Sequence, residues 1–276
     1  MLIDFHTHVF PDKIAESTIS FLAKNSGTRA YTDGTAEGLI KEMERAEADV
    51  CVTLPVLTKA SQFDSISRFA IQLNEKYKNQ KRRLISFGGL HPDCDQIKEK
   101  IKFLKENGIK GIKIHPDYQG TFIDDEKYYK IVSAAKDYDM IVVTHAGVDY
   151  GYKDCPVRCT PDLVKKLYKR VPYNKLVLAH YGGHKEWKEV SEELCDLDCY
   201  FDTAFTFHEI EKDRFIEILD KRGADKVLFA TDCPWRGIKE DKELLLSYNL
   251  DKNVLDAIFY KNALKLLDLE MEYENK

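Results

Sequence analysis

Long apolar runs are absent from this sequence of 276 residues, and none approaches the ~20 residues that a membrane-spanning helix needs. Residues 1–6 lack both the basic and the apolar region of a secretory signal, so we expect a cytoplasmic protein with no membrane partner. Basic residues are not concentrated either: 42 Lys and Arg are interspersed with 47 Asp and Glu, and the net charge is −5. Because a nucleic-acid partner usually needs a concentrated basic face, we expect none here.

Cysteine is too irregular for a disulfide framework, because the seven residues are an odd number scattered along the chain. Two pairs have a three-residue gap that suits a metal, Cys155 with Cys159 and Cys195 with Cys199. Neither pair has a second pair or a histidine at zinc-finger spacing. We therefore interpret all seven as reduced thiols.

Short apolar runs alternate along the chain with amphipathic stretches. The apolar runs predict eight strands, at residues 2–6, 50–55, 84–90, 111–115, 140–145, 175–180, 199–203 and 227–231. Helical periodicity covers residues 35–48, 95–107, 125–138, 161–169, 185–195, 208–221 and 254–267. This alternation predicts a parallel sheet with right-handed crossovers, and the length is close to the ~250 residues of an eight-fold barrel. We predict an α/β protein with one (β/α)8 TIM-barrel domain over residues 1–276; a doubly wound open sheet is the alternative.

Polar residues collect where the predicted strands end. The first strand ends in His6, followed by His8; the others concerned are Lys113, His115, His145, His180 and Asp232, on the fourth, fifth, sixth and eighth strands. In a barrel these ends line the mouth where active sites form. Strand ends buried between helices should be apolar, so each polar residue there calls for a function.

His6 and His8 are the most informative pair. Residues two apart on a strand point to the same face, so both imidazoles can reach one ion. Neutral imidazole is the commonest ligand of zinc and related metals. Ordinary hydrogen bonding would explain two such histidines on their own. Three more predicted strands, however, end in a residue that can bind a metal. The pattern predicts a metal site.

Other polar residues leave their roles open. Asp4 either orients a metal ligand or bonds backbone near the start of its strand. His91 either reaches the barrel mouth or is structural. His184 and His208 fall at predicted helix starts, and we expect structural roles for both.

Five motifs carry a family resemblance: IDFHTH at 3–8, GIKIHP at 111–116, THAG at 144–147, AHYGG at 179–183 and ATDCP at 230–234. In this order the chain resembles the amidohydrolase superfamily. More narrowly, it is similar to the branch that contains aminocarboxymuconate-semialdehyde decarboxylase and predicted TIM-barrel metal-dependent hydrolases. The similarity extends from the first strand to the last helix.

The resemblance implies roles for the residues at the strand ends. His6, His8, His145 and Asp232 become metal ligands, and Asp232 also exchanges protons. His180 polarises the substrate, acts as acid or base, or binds a second metal. Lys113 is either carboxylated to bridge two ions or a plain ammonium that binds a substrate carboxylate, and His115 on the same face contacts substrate or a second metal.

These roles predict an enzyme that binds a divalent metal. Zinc is the expected ion, manganese or another divalent ion also fits, and one ion is favoured over two. The main hypothesis is hydrolysis of a small amide, lactone or ester by a metal-activated water, with Asp232 and His180 as catalytic residues. The alternative is decarboxylation of a small unsaturated or aromatic acid, and a non-catalytic metal-binding protein is the hypothesis of another class. The partner is a small molecule, and the oligomeric state is left open.

Overall fold

A computed structural model describes residues 1–273, so the predicted domain boundary at residue 276 lies outside the described part. Nine strands occur in that part: β1 to β9 are Ile3–Thr7, Val50–Thr53, Arg83–Ser86, Gly88–Gly89, Gly111–Ile114, Ile141–Thr144, Leu176–Leu178, Tyr200–Asp202 and Val227–Leu228. The hydrogen-bonded strands follow the orders β1-β2-β3 and β4 to β9, and every neighbouring pair is parallel. Together, β3 and β4 form the predicted third strand, interrupted at Phe87.

The sheet closes into a barrel because the first and last strands pair. The Phe5 amide donates to the Phe229 carbonyl at 2.9 Å, and the Asp232 amide donates to the His6 carbonyl at 2.8 Å. A further parallel bridge joins Thr7 and Cys233. The predicted TIM barrel is therefore confirmed, and the open-sheet alternative is wrong.

Helices surround this barrel. In chain order α1 to α12 are Asp12–Ser26, Ala36–Ala46, Phe63–Tyr77, Ile97–Glu106, Glu126–Asp137, Pro161–Arg170, Trp187–Glu193, Lys212–Arg222, Ile238–Ser247, Lys252–Asp256, Asn262–Leu266 and Glu270–Tyr273. A π-helical turn, Ala257–Lys261, links α10 to α11, and 3₁₀ turns occupy Ala60–Gln62, Tyr150–Tyr152 and Ala224–Lys226. Within residues 1–273, no helix has the length and apolar character needed to cross a membrane.

Two apolar layers hold the barrel together. Strand residues such as Ile3, Phe5, Val143 and Val177 fill its interior, while Val142, Leu176 and Leu178 face the surrounding helices. This follows from the two-residue period of a strand. The chain after residue 262 packs against the same interior cluster, which includes Leu266. The carboxyl ends of the strands remain available to form the candidate metal centre.

Four helices were not predicted from the sequence: α1, α3, α9 and the short α12. In α1 only Ala15 is buried, so the helix has no broad apolar stripe facing the core. Small or polar residues interrupt the buried faces of α3 and α9, at Ser67 and Asp241 respectively. The predicted helix at 208–221 begins later than expected, because residues 206–210 form turns before α8.

Candidate metal centre

His6, His8 and Asp232 bring their ligand atoms together at the end of the barrel. One nitrogen of each imidazole and one carboxylate oxygen all lie within 4.8 Å of one another. His8 Nε2 is 2.9 Å and His6 Nε2 is 3.4 Å from Asp232 Oδ1. Residues 226 positions apart in the chain thus meet because the first and last strands are neighbours.

The other nitrogen of each imidazole is already engaged. His6 Nδ1 donates to Asp202 Oδ2 at 2.9 Å, and His8 Nδ1 donates to the Leu54 carbonyl oxygen at 2.8 Å. Each Nδ1 faces an oxygen acceptor, and each Nε2 faces Asp232. In the tautomer with the proton on Nδ1, which metal binding through Nε2 requires, both Nε2 lone pairs point towards Asp232. Such partners fix the tautomer and ring orientation of metal-binding histidines.

Asp4 stabilises this arrangement through hydrogen bonds to the neighbouring backbone. Its Oδ1 accepts from the amides of His6 and Thr231, both at 3.1 Å, and its Oδ2 accepts from the Thr231 hydroxyl at 2.5 Å. Asp4 therefore joins the end of β1 to the segment that carries Asp232, and it makes no contact with an imidazole. Its burial raises its pKa well above the usual range, although these hydrogen bonds counteract the effect.

His180 follows β7 in a left-handed backbone conformation, with φ of 58°. Asp202 Oδ1 accepts from the His180 amide at 3.1 Å and from the Ala204 amide at 3.0 Å. On the ring, Nδ1 donates to the Ala204 carbonyl at 3.0 Å, so Nε2 carries the lone pair. A single buried carboxylate, Asp202, thus positions both His6 and His180.

His145 lies beside this group but is not among its three convergent residues. Its Nδ1 is 2.9 Å from His180 Nε2, and its Nε2 is 3.2 Å from the Gly147 carbonyl oxygen. Its ring stacks on that of His115, with centroids 4.2 Å apart. His115, His145 and Asp149 form a second set of ligand atoms within 4.8 Å.

His115 is held within this second set. Its Nε2 lies 3.3 Å from Asp149 Oδ2, and its other face stacks on Tyr118 at 4.0 Å. Burial by itself would raise the pKa of Asp149, but the hydrogen bond and charge of His115 lower it overall. His115 therefore lies in the mouth, as its strand position predicts.

Lys113 is fully buried at the floor, where its Nζ lies 3.2 Å from His6 Nε2. Burial lowers the pKa of this amine to about 8, although the nearby charges of Asp202 and Asp232 counteract the shift. A cation therefore contacts the nitrogen through which His6 would bind a metal.

Burial favours the neutral form of three imidazoles. Burial is the largest cause that lowers the pKa of His6 and His145 well below the usual range, and it lowers that of His180 to about 3. The Lys113 charge adds to this effect at all three rings. Neutral imidazoles are the form that coordinates metals.

Sequence reasoning missed four carboxylates: Asp202, Asp149, Glu209 and Asp117, whose Oδ2 lies 3.8 Å from His145 Nε2. Asp202 is the last residue of β8 and the last but one of the predicted strand at 199–203, so the position that marked the other site residues could have identified it. Glu209 lies in the turns before α8 and binds Tyr150 OH, His184 Nε2 and Lys185 Nζ at 2.7 to 2.9 Å. These hydrogen bonds lower the pKa of Glu209 despite its partial burial, and no strand-end signal marks it.

A cavity of about 880 Å³ opens over these groups. Six of the eight histidines line it: His6, His8, His115, His145, His180 and His184. Lys113 and Asp232 also face it, whereas His91 and His208 are not among its lining residues. Every residue singled out from the strand ends therefore shares one cavity, and His184 joins them.

Comparisons with known proteins agree with this architecture. The amidohydrolase family model matches residues 3–269. A search of curated protein sequences found no match.

Several solved structures have a similar fold. An uncharacterised TIM-barrel protein, Bb4693 from Bordetella bronchiseptica, is 16% identical, covering 97% of this chain and 98% of that one with a TM-score of 0.74. The 2,6-dihydroxybenzoate decarboxylase from Rhizobium is 14% identical, with 98% and 99% coverage and a TM-score of 0.65. The 5-carboxyvanillate decarboxylase from Novosphingobium aromaticivorans, solved with manganese and 4-hydroxy-3-methoxy-5-nitrobenzoic acid, is 15% identical, with 98% and 96% coverage and a TM-score of 0.71.

At this level of identity the structures show the shared barrel, whereas the family model spans nearly the whole chain. The predicted resemblance is confirmed: this chain is a member of the amidohydrolase family of enzymes.

Proposed function

We propose that this protein is a metal-dependent decarboxylase of a small carboxylic acid. The observation that carries the proposal is the convergence of His6, His8 and Asp232 next to the buried ammonium of Lys113. The decarboxylases with a similar fold, which act on aromatic acids according to their names, support the same reaction. Hydrolysis, the main hypothesis from the sequence, has less support from these comparisons than its alternative.

The side chains present fit a divalent cation. In the tautomer with the proton on Nδ1, two Nε2 lone pairs and a carboxylate oxygen face one another, and all three atoms are acceptors. A cation satisfies such a set, and histidine with carboxylate suits manganese or zinc. His6, His8 and Asp232 would hold the ion; His145, the fourth ligand expected from the sequence, would have to turn its ring away from His180 and Gly147 to join them. The bound ion would supply a Lewis acid that polarises a substrate oxygen.

Lys113 provides the charge that a substrate carboxylate needs. Its ammonium is enclosed at the cavity floor, where the low dielectric strengthens its attraction for an anion. The plain ammonium therefore binds and orients the acid against the ligand set. In this proposal Lys113 is not carboxylated, and a single ion suffices.

Asp232 and His180 handle the proton and the substrate's polar group. When the bond to the carboxylate carbon breaks, its electron pair remains on the substrate carbon, carbon dioxide leaves, and a proton must reach that carbon. Asp232 lies at the floor and carries this proton from solvent. His180 is neutral and its Nε2 accepts, so it binds a substrate hydroxyl or amine.

The walls of the cavity favour the loss of charge. Most of the wall surface is apolar, with Leu54, Val148 and Phe205 among the lining residues. Removing water from a carboxylate in such surroundings raises its free energy more than that of the charge-dispersed transition state or of neutral carbon dioxide, so the barrier falls. The cavity thus assists decarboxylation more than it assists attack by water.

The test is a reaction of metal-reconstituted protein with acids labelled with ¹³C in the carboxyl group. We expect labelled carbon dioxide from 2,6-dihydroxybenzoate or a related hydroxybenzoate with manganese or zinc, and no turnover after chelation. A parallel panel of esters, lactones and amides should stay intact. Hydrolysis of that panel without release of carbon dioxide would establish the hydrolase instead.

Paired histidine variants provide the control. His8→Ala should lose metal and turnover, because its Nε2 belongs to the convergent set. His208→Ala should retain both, since His208 does not line the cavity. Equal metal content and turnover in the two variants would contradict the ligand assignment.

A further inference from the structure

The helix α1 is an addition to the barrel that spans its mouth. It follows β1, and it packs against the 3₁₀ turn Tyr150–Tyr152, which follows β6. The strand β6 is fifth in the barrel, and the first and fifth strands of eight stand opposite each other. A helix of 15 residues, about 22 Å long, therefore crosses above the metal centre.

This helix is poorly covered by the rest of the protein. Only Ala15 is buried, while Ile14 is 49% exposed and Phe21 is 62% exposed. Both exposed residues, together with Thr18 and Leu22, line the cavity over the histidines. Apolar side chains exposed in this way raise the free energy of the protein in water unless something covers them.

The opposite wall has the same character. Ile66 and Phe69 of α3 line the cavity, and so do Val56 and Val9 from the loops that follow the first two strands. Lys113, Asp232 and most of the imidazoles are at the strand ends, whereas these apolar residues are on the elements that extend outward, where Lys13, Ser17 and Ser65 also line the cavity. The cavity therefore has a polar floor and a mixed outer part that contains an apolar patch.

We propose that the substrate carries an apolar substituent several carbons long, which lies between α1 and α3 while its carboxylate reaches the floor. The assignment of a carboxylate to the reacting end of this substrate rests on the proposed function. Its apolar end rests on the continuity of the space between α1 and α3 with the metal centre. A compact acid would leave Phe21 and Phe69 in contact with water, whereas an extended one buries them.

The experiment measures the affinity of a homologous series for the protein. The probes are 2-hydroxybenzoates with unbranched 6-alkyl groups of zero to ten carbons, titrated calorimetrically into metal-free and manganese-loaded protein. Burying one methylene in an apolar site increases affinity about fourfold. We expect Kd to fall by about this factor per carbon until the chain fills the outer cavity, with or without metal.

A matched pair of phenylalanine variants locates the binding site. Phe21→Ser should raise the Kd of the octyl probe roughly tenfold and leave that of the unsubstituted acid unchanged. Phe103→Ser, at an exposed phenylalanine of α4 that does not line the cavity, should change neither. A Kd that does not depend on chain length, or an equal effect of both variants on the octyl probe, would overturn the proposal.

Light scattering tests the competing occupant, a second copy of this chain. If the wild type is a dimer, Phe21→Ser a monomer, and the chain-length dependence is the same in both, the apolar face is an interface between copies and the substrate proposal is wrong. An unchanged oligomeric state, with loss of the octyl preference, supports it.

The release of labelled carbon dioxide separates this proposal from the proposed function. Chain-length-dependent binding without decarboxylation of any probe would refute the decarboxylase and keep the apolar substituent. Decarboxylation of the unsubstituted acid with no effect of chain length would do the reverse.

Discussion

Replacing Asp202 with asparagine should weaken metal binding although Asp202 would not touch the metal. Its Oδ2 accepts from His6 Nδ1, and its Oδ1 accepts from the amides of His180 and Ala204. The carboxylate thus offers an acceptor on both sides, in a position with no solvent exposure. Asparagine has one acceptor and one donor and cannot satisfy both sides.

Either orientation of the new amide disrupts one side of this network. If the amide oxygen faces the two backbone amides, its NH₂ group faces His6 Nδ1 and moves the imidazole proton to Nε2, the nitrogen that would bind metal. If the oxygen faces His6, the NH₂ group opposes two buried N–H donors, which lose their partner at about 1–3 kcal/mol. Changes to such supporting residues weaken metal affinity by about 10- to 100-fold.

The assay is a competition titration of metal-free protein with manganese or zinc against a chromophoric chelator. We expect Asp202→Asn to raise the metal Kd by about 10- to 100-fold, with the circular dichroism spectrum retained. The control is Asp198→Asn, just before the same strand, where Asp198 is largely exposed and pairs with Lys226. That variant should bind metal as the wild type does.

An Asp202→Asn protein that is folded and binds metal with unchanged affinity would refute this reasoning. In that case His6 would not need a fixed tautomer, and the ligand set would have to lie elsewhere. A loss of folding alone would not produce the expected result, because the spectrum and the urea midpoint are measured on the same sample.

Three further changes have expected outcomes. Lys113→Met should lower kcat/KM for the acid substrate by about 10- to 100-fold at full metal content, because a charged hydrogen bond to the carboxylate is lost; unchanged kinetics would contradict the role of Lys113. Because burial lowers the pKa of His180 to about 3, only the unfolded chain takes up this proton between pH 7 and 5, so the metal-free protein loses stability as the pH falls. His180→Gln should lose about 2 kcal/mol less than the wild type over that interval in urea unfolding, and an equal loss would contradict the shift. Thr35→Ala should lower the free energy of unfolding by about 1 kcal/mol in the same assay, because the Thr35 hydroxyl accepts from the Gly38 amide at the start of α2. Thr35→Ser keeps a hydroxyl and should retain most of this stability.

Much of the barrel was predictable because strands and helices have different apolar periods. The buried strands β5 and β6 both lie inside predicted segments. Their short runs rich in β-branched residues indicate a strand without knowledge of what packs against them. The helix α1 was not predictable in this way, because its apolar residues face a cavity rather than the core. Periodicity detects burial against protein, so it misses a helix that covers a binding site.

The candidate site also has a part that the sequence predicts and a part that only the fold determines. Strand alternation by itself placed His6 and His8 on one face, and the position of Lys113 and Asp232 at strand ends placed them at the barrel mouth. Only the tertiary structure decided that Asp202 holds His6 and His180, that His145 turns towards His115, and that Glu209 joins three loops. Those contacts join residues from different strands and loops, and their geometry depends on barrel closure and loop packing. Local sequence determines which residues reach the mouth, while the closed barrel determines which of them meet.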